Sequence, residues 1–196
     1  INSYREKTLG INKFTLVLSH WHLDHVGGNE LYRRSNIVAC RKTRGYLALH
    51  KAAIEAGTLW GEPAINPLRL PDIVFDDNMS IYLGDLEVIL HNYNIHSDDS
   101  VCAYIPKYKI LLPGDMLEDT APFVTNPEDI SVHLKNYDLL RAMDIERIAP
   151  NHGRSQVIKN GGYPKELIES VAYYLSALYA RLSEDMEATV PELREF

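Results

Sequence analysis

The sequence predicts an α/β domain built from alternating strands and helices. Short apolar runs typical of strands recur along the chain, and segments of helical composition separate several of them. The chain has 196 residues, of which 45% are hydrophobic, which is enough to bury a sizeable core. We therefore expect one domain that spans residues 1–196.

The first part of the chain is predicted to contain two strands and two helices, followed by a loop. These are a strand at Phe14–Leu18, a short helix at Asn29–Ser35, a strand at Ile37–Cys40, a helix at Thr43–Ala56 and a loop at Trp60–Pro71. Gly57 marks the end of the second helix, because glycine is common just after a helix C-terminus. The loop is predicted from its glycine and prolines, which interrupt regular structure.

The rest of the chain is predicted to contain six strands and two helices. The strands are Ile73–Phe75, Ser80–Leu83, Leu86–Leu90, Val101–Ile105, Lys109–Leu112 and Ile145–Ala149, and the helices are Pro127–Met143 and Pro164–Leu182. Only short turns rich in Asp, Asn and Gly separate the first three strands. We therefore expect these three strands to form a meander.

The charge and the apolar patterning disfavour membrane and nucleic-acid partners. The formal net charge is −7, and Lys and Arg form no stripe that would follow a phosphate backbone. No apolar run approaches the roughly 18 residues that a membrane helix needs. We expect a soluble protein that acts on a small molecule.

The densest group of metal-binding side chains directly follows the first predicted strand. His20, His22 and His25 together with Asp24 lie within six consecutive positions. Imidazole nitrogen and carboxylate oxygen suit zinc and other borderline divalent metals. Four polar groups at the end of one strand are costly to bury unless they are paired or coordinated. This segment therefore indicates a metal-dependent hydrolase.

The pattern His20-x-His22-x-Asp24-His25, followed by Gly27-Gly28, resembles the signature of the metallo-β-lactamase-fold superfamily. The resemblance covers most of the chain, from the first predicted strand to the Pro-Asn-His-Gly segment that ends at residue 153. It implies a four-layer αββα sandwich of the metallo-β-lactamase type, with the metal ligands gathered at one edge of the two sheets.

The resemblance also implies three later ligands, each at the end of a strand. His96, Asp115 and His152 follow predicted strands in the required order. By analogy with the family, one metal ion is held by His20, His22 and His96, a second is held by Asp24, His25 and His152, and Asp115 bridges the two ions.

The activity implied by this ligand set is hydrolysis with two Zn²⁺ per chain, or alternatively with Fe or Mn. Two such ions share a water molecule and yield hydroxide near neutral pH. That hydroxide would attack a small ester, lactone, lactam or thioester. Asp24 is the candidate catalytic residue, because its carboxylate could orient the hydroxide or accept its proton.

Three other functions remain open at this stage. The same metal pair would suit a phosphodiesterase on nucleotides or nucleic acid, and a single iron would suit an oxygenase of the persulfide dioxygenase type. A metal-binding scaffold without catalysis is the third.

Two positions distinguish between branches of the family. Asp115 favours the dinuclear hydrolases over the antibiotic-degrading lactamases, which usually carry a cysteine or another ligand set there. Asn94-Ile95 stands where glyoxalase II-like thioesterases show Pro-Gly, which weakens the thioesterase alternative.

Three residues beside the ligands are candidates for binding the substrate. Trp21 and Tyr93 offer aromatic surface, and Arg154 could hold a carboxylate or phosphate through two hydrogen bonds. Packing or solvation is the alternative role for each of them.

Residues outside the ligand pattern are expected to have structural roles. We expect His50 and His133 to be surface or packing residues, whereas His91 could support a ligand from behind. Cys40 and Cys102 have no metal-ligand spacing and are expected to be buried thiols, with one disulfide left open.

The start of the chain leaves two properties open. Only Ile1–Lys13 precede the first predicted strand, whereas the family places several strands there, so we expect a chain that is truncated relative to the family. Missing strands would leave a sheet unprotected, which favours a homo-oligomer. Localisation is unknown, because a signal peptide could have preceded this segment.

Overall fold

The computed structural model describes residue 10, residues 14–119 and residues 121–184. The chain divides into two compact units, Ile1–Asp76 and Asp77–Phe196. The expected absence of leading strands concerns a segment that lies largely outside the described residues, and it stays a prediction.

The first unit contains a parallel sheet of three strands in the order β1-β2-β3. Its elements are β1 Thr15–Val17, α1 Leu23–Val26, a 3₁₀ helix at Asn29–Tyr32, β2 Asn36–Cys40, α2 Arg41–Ala56 and β3 Ile73–Phe75. The central strand β2 is buried along four consecutive residues, as expected for a strand inside a parallel sheet.

Helix α2 begins directly after β2 and packs its apolar side into the core of this unit. Leu47 and Ile54 of α2 are fully buried and belong to the same cluster as Ile37 of β2 and Leu18. The helix ends at Gly57, which has a φ of 66° and donates its backbone N–H to carbonyl oxygens of the last turn. The predicted helix and its glycine end are therefore confirmed.

The predicted meander is wrong in its first strand. β3 pairs in parallel with β2, and β4 does not pair with it. Contacts at both ends of β3 explain this choice: the backbone N–H of Ile37 donates to the Asp72 carboxylate at 2.9 Å, and Arg41 is ion-paired with Asp76 at 2.8 Å. The short turn after β3 was misleading, because these partners lie 35 residues away along the chain.

The second unit contains a five-stranded sheet in the order β4-β5-β6-β7-β8. Its elements are β4 Asn78–Leu83, β5 Leu86–Asn92, β6 Val101–Ile105, a 3₁₀ helix at Pro106–Tyr108, β7 Ile110–Leu112, a 3₁₀ helix at Pro127–Asp129, α3 Ile130–Ala142, β8 Arg147–Ile148, α4 Ser155–Lys159 and α5 Leu167–Glu184. The pairs from β4 to β7 are antiparallel, whereas β8 lies parallel to β7.

Helices α3 and α5 pack on each other and contribute to the core of the second unit. Tyr137 and Leu140 from α3 and Leu175 from α5 are buried with Cys102 and Leu111 of the sheet. Both cysteines of the chain are buried thiols that form no disulfide. Two sheets with accompanying helices confirm the predicted α/β class.

Among the described residues, none of the helices combines the length and the apolar character needed to cross a bilayer.

Candidate metal centre

The histidine-rich segment forms the connection between β1 and α1 in the first unit. His20 and His22 lie in the turn, whereas Asp24 and His25 lie in the short helix itself. Leu23 and Val26 are the buried residues of this helix. Leu23 and Val26 therefore anchor the helix in the core, and Asp24 and His25, which lie between them, point to a different side of the helix.

The polar side chains of this segment lie close together. The ring centroid of His20 lies 4.5 Å from that of His22 and 4.2 Å from that of His25, and Nε2 of His25 lies 3.1 Å from Oδ2 of Asp24. His20 is fully buried, whereas the Asp24 side chain is 63% exposed. Three imidazoles and a carboxylate are a donor set that fits a borderline divalent metal.

Ser19 orients two of these imidazoles. Its hydroxyl oxygen lies 3.1 Å from Nδ1 of His20 and 3.3 Å from Nδ1 of His25. Because the hydroxyl oxygen has two lone pairs, it can accept the Nδ1 hydrogen of both rings, and each Nε2 then presents its own lone pair. The opposite nitrogen of each ring, Nε2, is then the one suited to bind a metal.

Trp21 belongs to an aromatic cluster of the first unit. Its ring stacks on His50 with a centroid distance of 5.3 Å, and it also contacts the rings of Tyr46 and Trp60. His50 therefore serves packing, as expected. The predicted contact between Trp21 and a substrate stays a prediction.

In the second unit, His96 lies in a tightly hydrogen-bonded loop between β5 and β6. The loop is held by the Asn92 side chain, which donates to the Ser100 carbonyl, and by Ser97, which donates to Asp99. His96 has a φ of 70°, a conformation that is rare for residues with a side chain. Strain of this kind persists where the surroundings fix the residue, and it is concentrated at functional sites.

A hydrogen bond to the backbone fixes the imidazole of His96. Its Nδ1 lies 3.1 Å from the carbonyl oxygen of Phe123. A carbonyl only accepts, so Nδ1 carries the hydrogen and Nε2 presents its lone pair in the neutral ring. A histidine held in this way is ready to bind a metal through Nε2.

Asp115 lies between two histidines of the same unit. Its Oδ2 is 3.9 Å from Nε2 of His96 and 3.5 Å from Nε2 of His152. Asp115 follows Gly114, whose φ of 62° turns the chain sharply after β7, and the N–H of Asn151 donates to the Gly114 carbonyl. The loops that carry Asp115 and His152 are thereby joined directly.

A second network joins the same two loops. The Tyr163 hydroxyl donates to Oδ2 of Asp119 at 2.8 Å and accepts the backbone N–H of Arg154 at 2.7 Å, and the Arg154 guanidinium is ion-paired with Asp119. Burial alone would raise the pKa of Asp119, but the hydrogen bonds from Arg154 and Tyr163 outweigh it and lower that pKa. The Arg154 guanidinium is thus engaged with the protein, and a substrate anion would compete with Asp119 for it.

Tyr93 and His91 stack on each other in the second unit. Their ring centroids are 5.3 Å apart and their planes differ by 11°. Burial raises the pKa of Tyr93 and lowers that of His91. Burial also raises the pKa of the Cys102 thiol to about 12, which makes it an unreactive core residue.

Glu118 was not among the residues that the sequence singled out. Its carboxylate groups with the ligand atoms of His96 and Asp115, all within 4.8 Å of one another, and all three residues are buried. The sequence feature that could have identified Glu118 is its position three residues after Asp115, next to the apolar residues Met116 and Leu117.

Together, the fold and these groups define a class of protein: an α/β protein that presents histidine and aspartate side chains at the ends of its strands as a candidate metal site. A sequence model of the Metallo-beta-lactamase superfamily matches residues 15–152, and the chain belongs to this superfamily.

Solved structures support the same fold. A metallo-beta-lactamase from Pontibacter korlensis is 21% identical, with a TM-score of 0.68 over 89% of this chain and 74% of the other. The metallo-beta-lactamase IND-7 is 17% identical, with a TM-score of 0.62 over 86% of this chain and 72% of the other. These similarities confirm the predicted metallo-β-lactamase-type fold.

Proposed function

We propose that this protein is a hydrolase that uses two divalent metal ions, expected to be Zn²⁺, on a small ester, lactone, lactam or thioester. The observation that carries the proposal is the position of Asp115, whose Oδ2 lies within 4 Å of the Nε2 atoms of two histidines. A carboxylate oxygen between two imidazole nitrogens is suited to bridge two ions. The proposed ligands are seven residues: His20, His22, Asp24, His25, His96, Asp115 and His152.

The chemistry of the donors supports zinc, iron or manganese as the resident metal. Five imidazoles and two carboxylates offer nitrogen and oxygen donors of intermediate softness, and no thiolate is among them. When bound, a pair of such ions supplies a hydroxide nucleophile near neutral pH and stabilises negative charge on the substrate oxygen. Fe and Mn remain the alternatives for the metal.

The residues of the chain have separate tasks in this proposal. Ser19 and the Phe123 carbonyl fix the orientation of the ligand imidazoles. Asp24 is exposed and adjoins His25, so its carboxylate is placed to take up a proton from the attacking water. The strained His96 keeps its Nε2 directed toward Asp115.

A groove in the second unit supports neutral substrates over phosphodiesters. It has a volume of about 980 Å³, and Glu118 and Tyr163 lie in its wall. Its described lining contains four carboxylates and one guanidinium: Arg154 and Asp119 form an ion pair, Glu169 is paired with Arg141, and Glu118 and Glu166 add further negative charge. Such a lining repels a polyanion, whereas an uncharged acyl group meets tyrosine and proline surface.

The test is metal analysis of the purified protein without added metal, followed by a substrate panel. We expect about two zinc ions per chain and turnover of ester, lactone, lactam or thioester substrates well above that of bis(p-nitrophenyl) phosphate. A preference for the phosphodiester would establish the phosphodiesterase instead. One iron per chain with oxygen consumption would establish the oxygenase, and full metal loading without turnover would leave a metal-binding scaffold.

A further inference from the structure

We propose that Glu118 is a further carboxylate ligand, which joins His96 and Asp115 around one of the two proposed metal ions. The inference rests on the proposed function, because it adds a residue to the same metal centre.

The geometry assigns Glu118 to the centre rather than to the surface. One ligand atom from each of His96, Asp115 and Glu118 lies within 4.8 Å of the others. The three residues are 5%, 6% and 6% exposed, so water contributes little to their solvation. A glutamate on a solvated surface shows neither this burial nor this convergence.

The chemistry of the three atoms suits a metal cation. Nε2 of His96 presents a lone pair, because Nδ1 carries the hydrogen that faces the Phe123 carbonyl. Ionised carboxylates also only accept hydrogen bonds. Two carboxylates held close together in a buried site repel each other, and a cation bound to both relieves this repulsion. A divalent ion bound to all three atoms is such a cation.

The local chain explains why Glu118 lies beside Asp115. Met116 and Leu117 between them are fully buried, and the Met116 carbonyl accepts the Tyr137 hydroxyl at 2.9 Å. The N–H of Met116 also donates to the Pro113 carbonyl and closes a turn. With the two intervening side chains inserted into the core, both carboxylates are held at fixed positions near His96.

Glu118 also contributes to the wall of the groove described above. It is therefore the residue at which the groove reaches the metal ligands of this unit. An exposed glutamate of the same groove, Glu166, provides a matched control, because it shares the groove but not the ligand group.

The test is a Co²⁺ titration of the full chain, stripped of metal, with the visible absorption of the bound ion and competition by a chelator as readouts. We expect Glu118→Gln to weaken one of the bound ions by at least about tenfold and to change the Co²⁺ absorption bands. Glu166→Gln should bind Co²⁺ as the wild type does. Circular dichroism of each variant checks that the metal-free fold is retained, and Glu118→Asp, which keeps the charge, should recover part of the affinity.

The outcomes separate this inference from the proposed function. Unchanged affinity and absorption in Glu118→Gln, with normal binding by the wild type, would overturn the assignment of Glu118 alone. Failure of the wild type to bind Co²⁺ or Zn²⁺ would overturn both the metal centre and this inference. Equal losses in Glu118→Gln and Glu166→Gln would also overturn the assignment, since they would reflect the charge of the groove.

Discussion

The hydroxyl of Tyr163 lies 2.8 Å from Oδ2 of Asp119, and this contact holds together the loops that carry Asp115 and His152. Asp119 follows Asp115 in one loop, and Tyr163 binds the backbone of Arg154, two residues after His152. His152 is an exposed residue and a proposed metal ligand. The buried Tyr163 thereby orients the loop that carries it.

Removal of the Tyr163 hydroxyl tests this relationship. Tyr163→Phe leaves the Arg154 N–H without its acceptor and removes one of the hydrogen bonds to Oδ2 of Asp119, so we expect a loss of about 1–3 kcal/mol in the free energy of unfolding. We also expect weaker metal binding, because His152 loses its support. Chemical denaturation and a metal titration measure the two effects. Tyr108→Phe, at an exposed position, is the control and should change neither.

Gly153 tests the same network from the backbone. A Cβ at this position would lie 2.8 Å from the Tyr163 hydroxyl oxygen, which hydrogen bonds already hold in place. We expect Gly153→Ala to lower the melting temperature and to reduce metal affinity. Gly28→Ala is the matched control, because a Cβ there would meet nothing within 4 Å. Equal melting temperatures for the two variants would show that Tyr163 can move away from the added Cβ without loss of stability.

The bridging role of Asp115 predicts a loss that affects both metal ions. Asp115→Ala removes the carboxylate between His96 and His152, so we expect a lower metal content at both sites and no measurable turnover. Metal analysis and the substrate panel measure the two quantities. His50→Ala should change neither quantity, because His50 stacks on Trp21. Unchanged loading in Asp115→Ala would contradict the bridge.

His133 predicts a dependence of stability on pH. The residue is 1% exposed, its Nε2 makes no hydrogen bond to a described residue, and burial lowers its pKa below the ordinary 6.5, although Asp129 acts in the opposite direction. As the pH falls through 6.5, His133 takes up a proton in the unfolded chain but stays neutral in the folded protein. The free energy of unfolding therefore decreases.

The check is denaturation of the wild type and of His133→Gln at about pH 7.5 and about pH 5.5. We expect a smaller decrease between these pH values for His133→Gln, because glutamine does not titrate. Other groups titrate alike in both proteins, and their effects cancel in the comparison. An equal decrease would show that His133 takes up its proton normally in the folded protein.

Local patterns in the sequence were sufficient for much of the fold and for part of the site. The segment from His20 to His25 is readable because all four side chains lie within one turn and one short helix. Helix α2 was predicted with its glycine end because both depend on neighbouring residues. His96, Asp115 and His152 were identified through the order of the family pattern, and this ligand assignment remains a prediction.

The sequence by itself determined the α/β class, the superfamily and the candidate ligands, since these depend on residue type, spacing and short-range periodicity. Only the tertiary structure decided that β3 pairs with β2, that Arg154 is paired with Asp119, and that Glu118 is buried beside His96. Each of these features depends on contacts between residues far apart along the chain. Glu118 lies only three residues after Asp115, but its position beside His96 also depends on the packing of the core. In that case the burial of Met116 and Leu117 directs the carboxylate inward, and no local pattern records it.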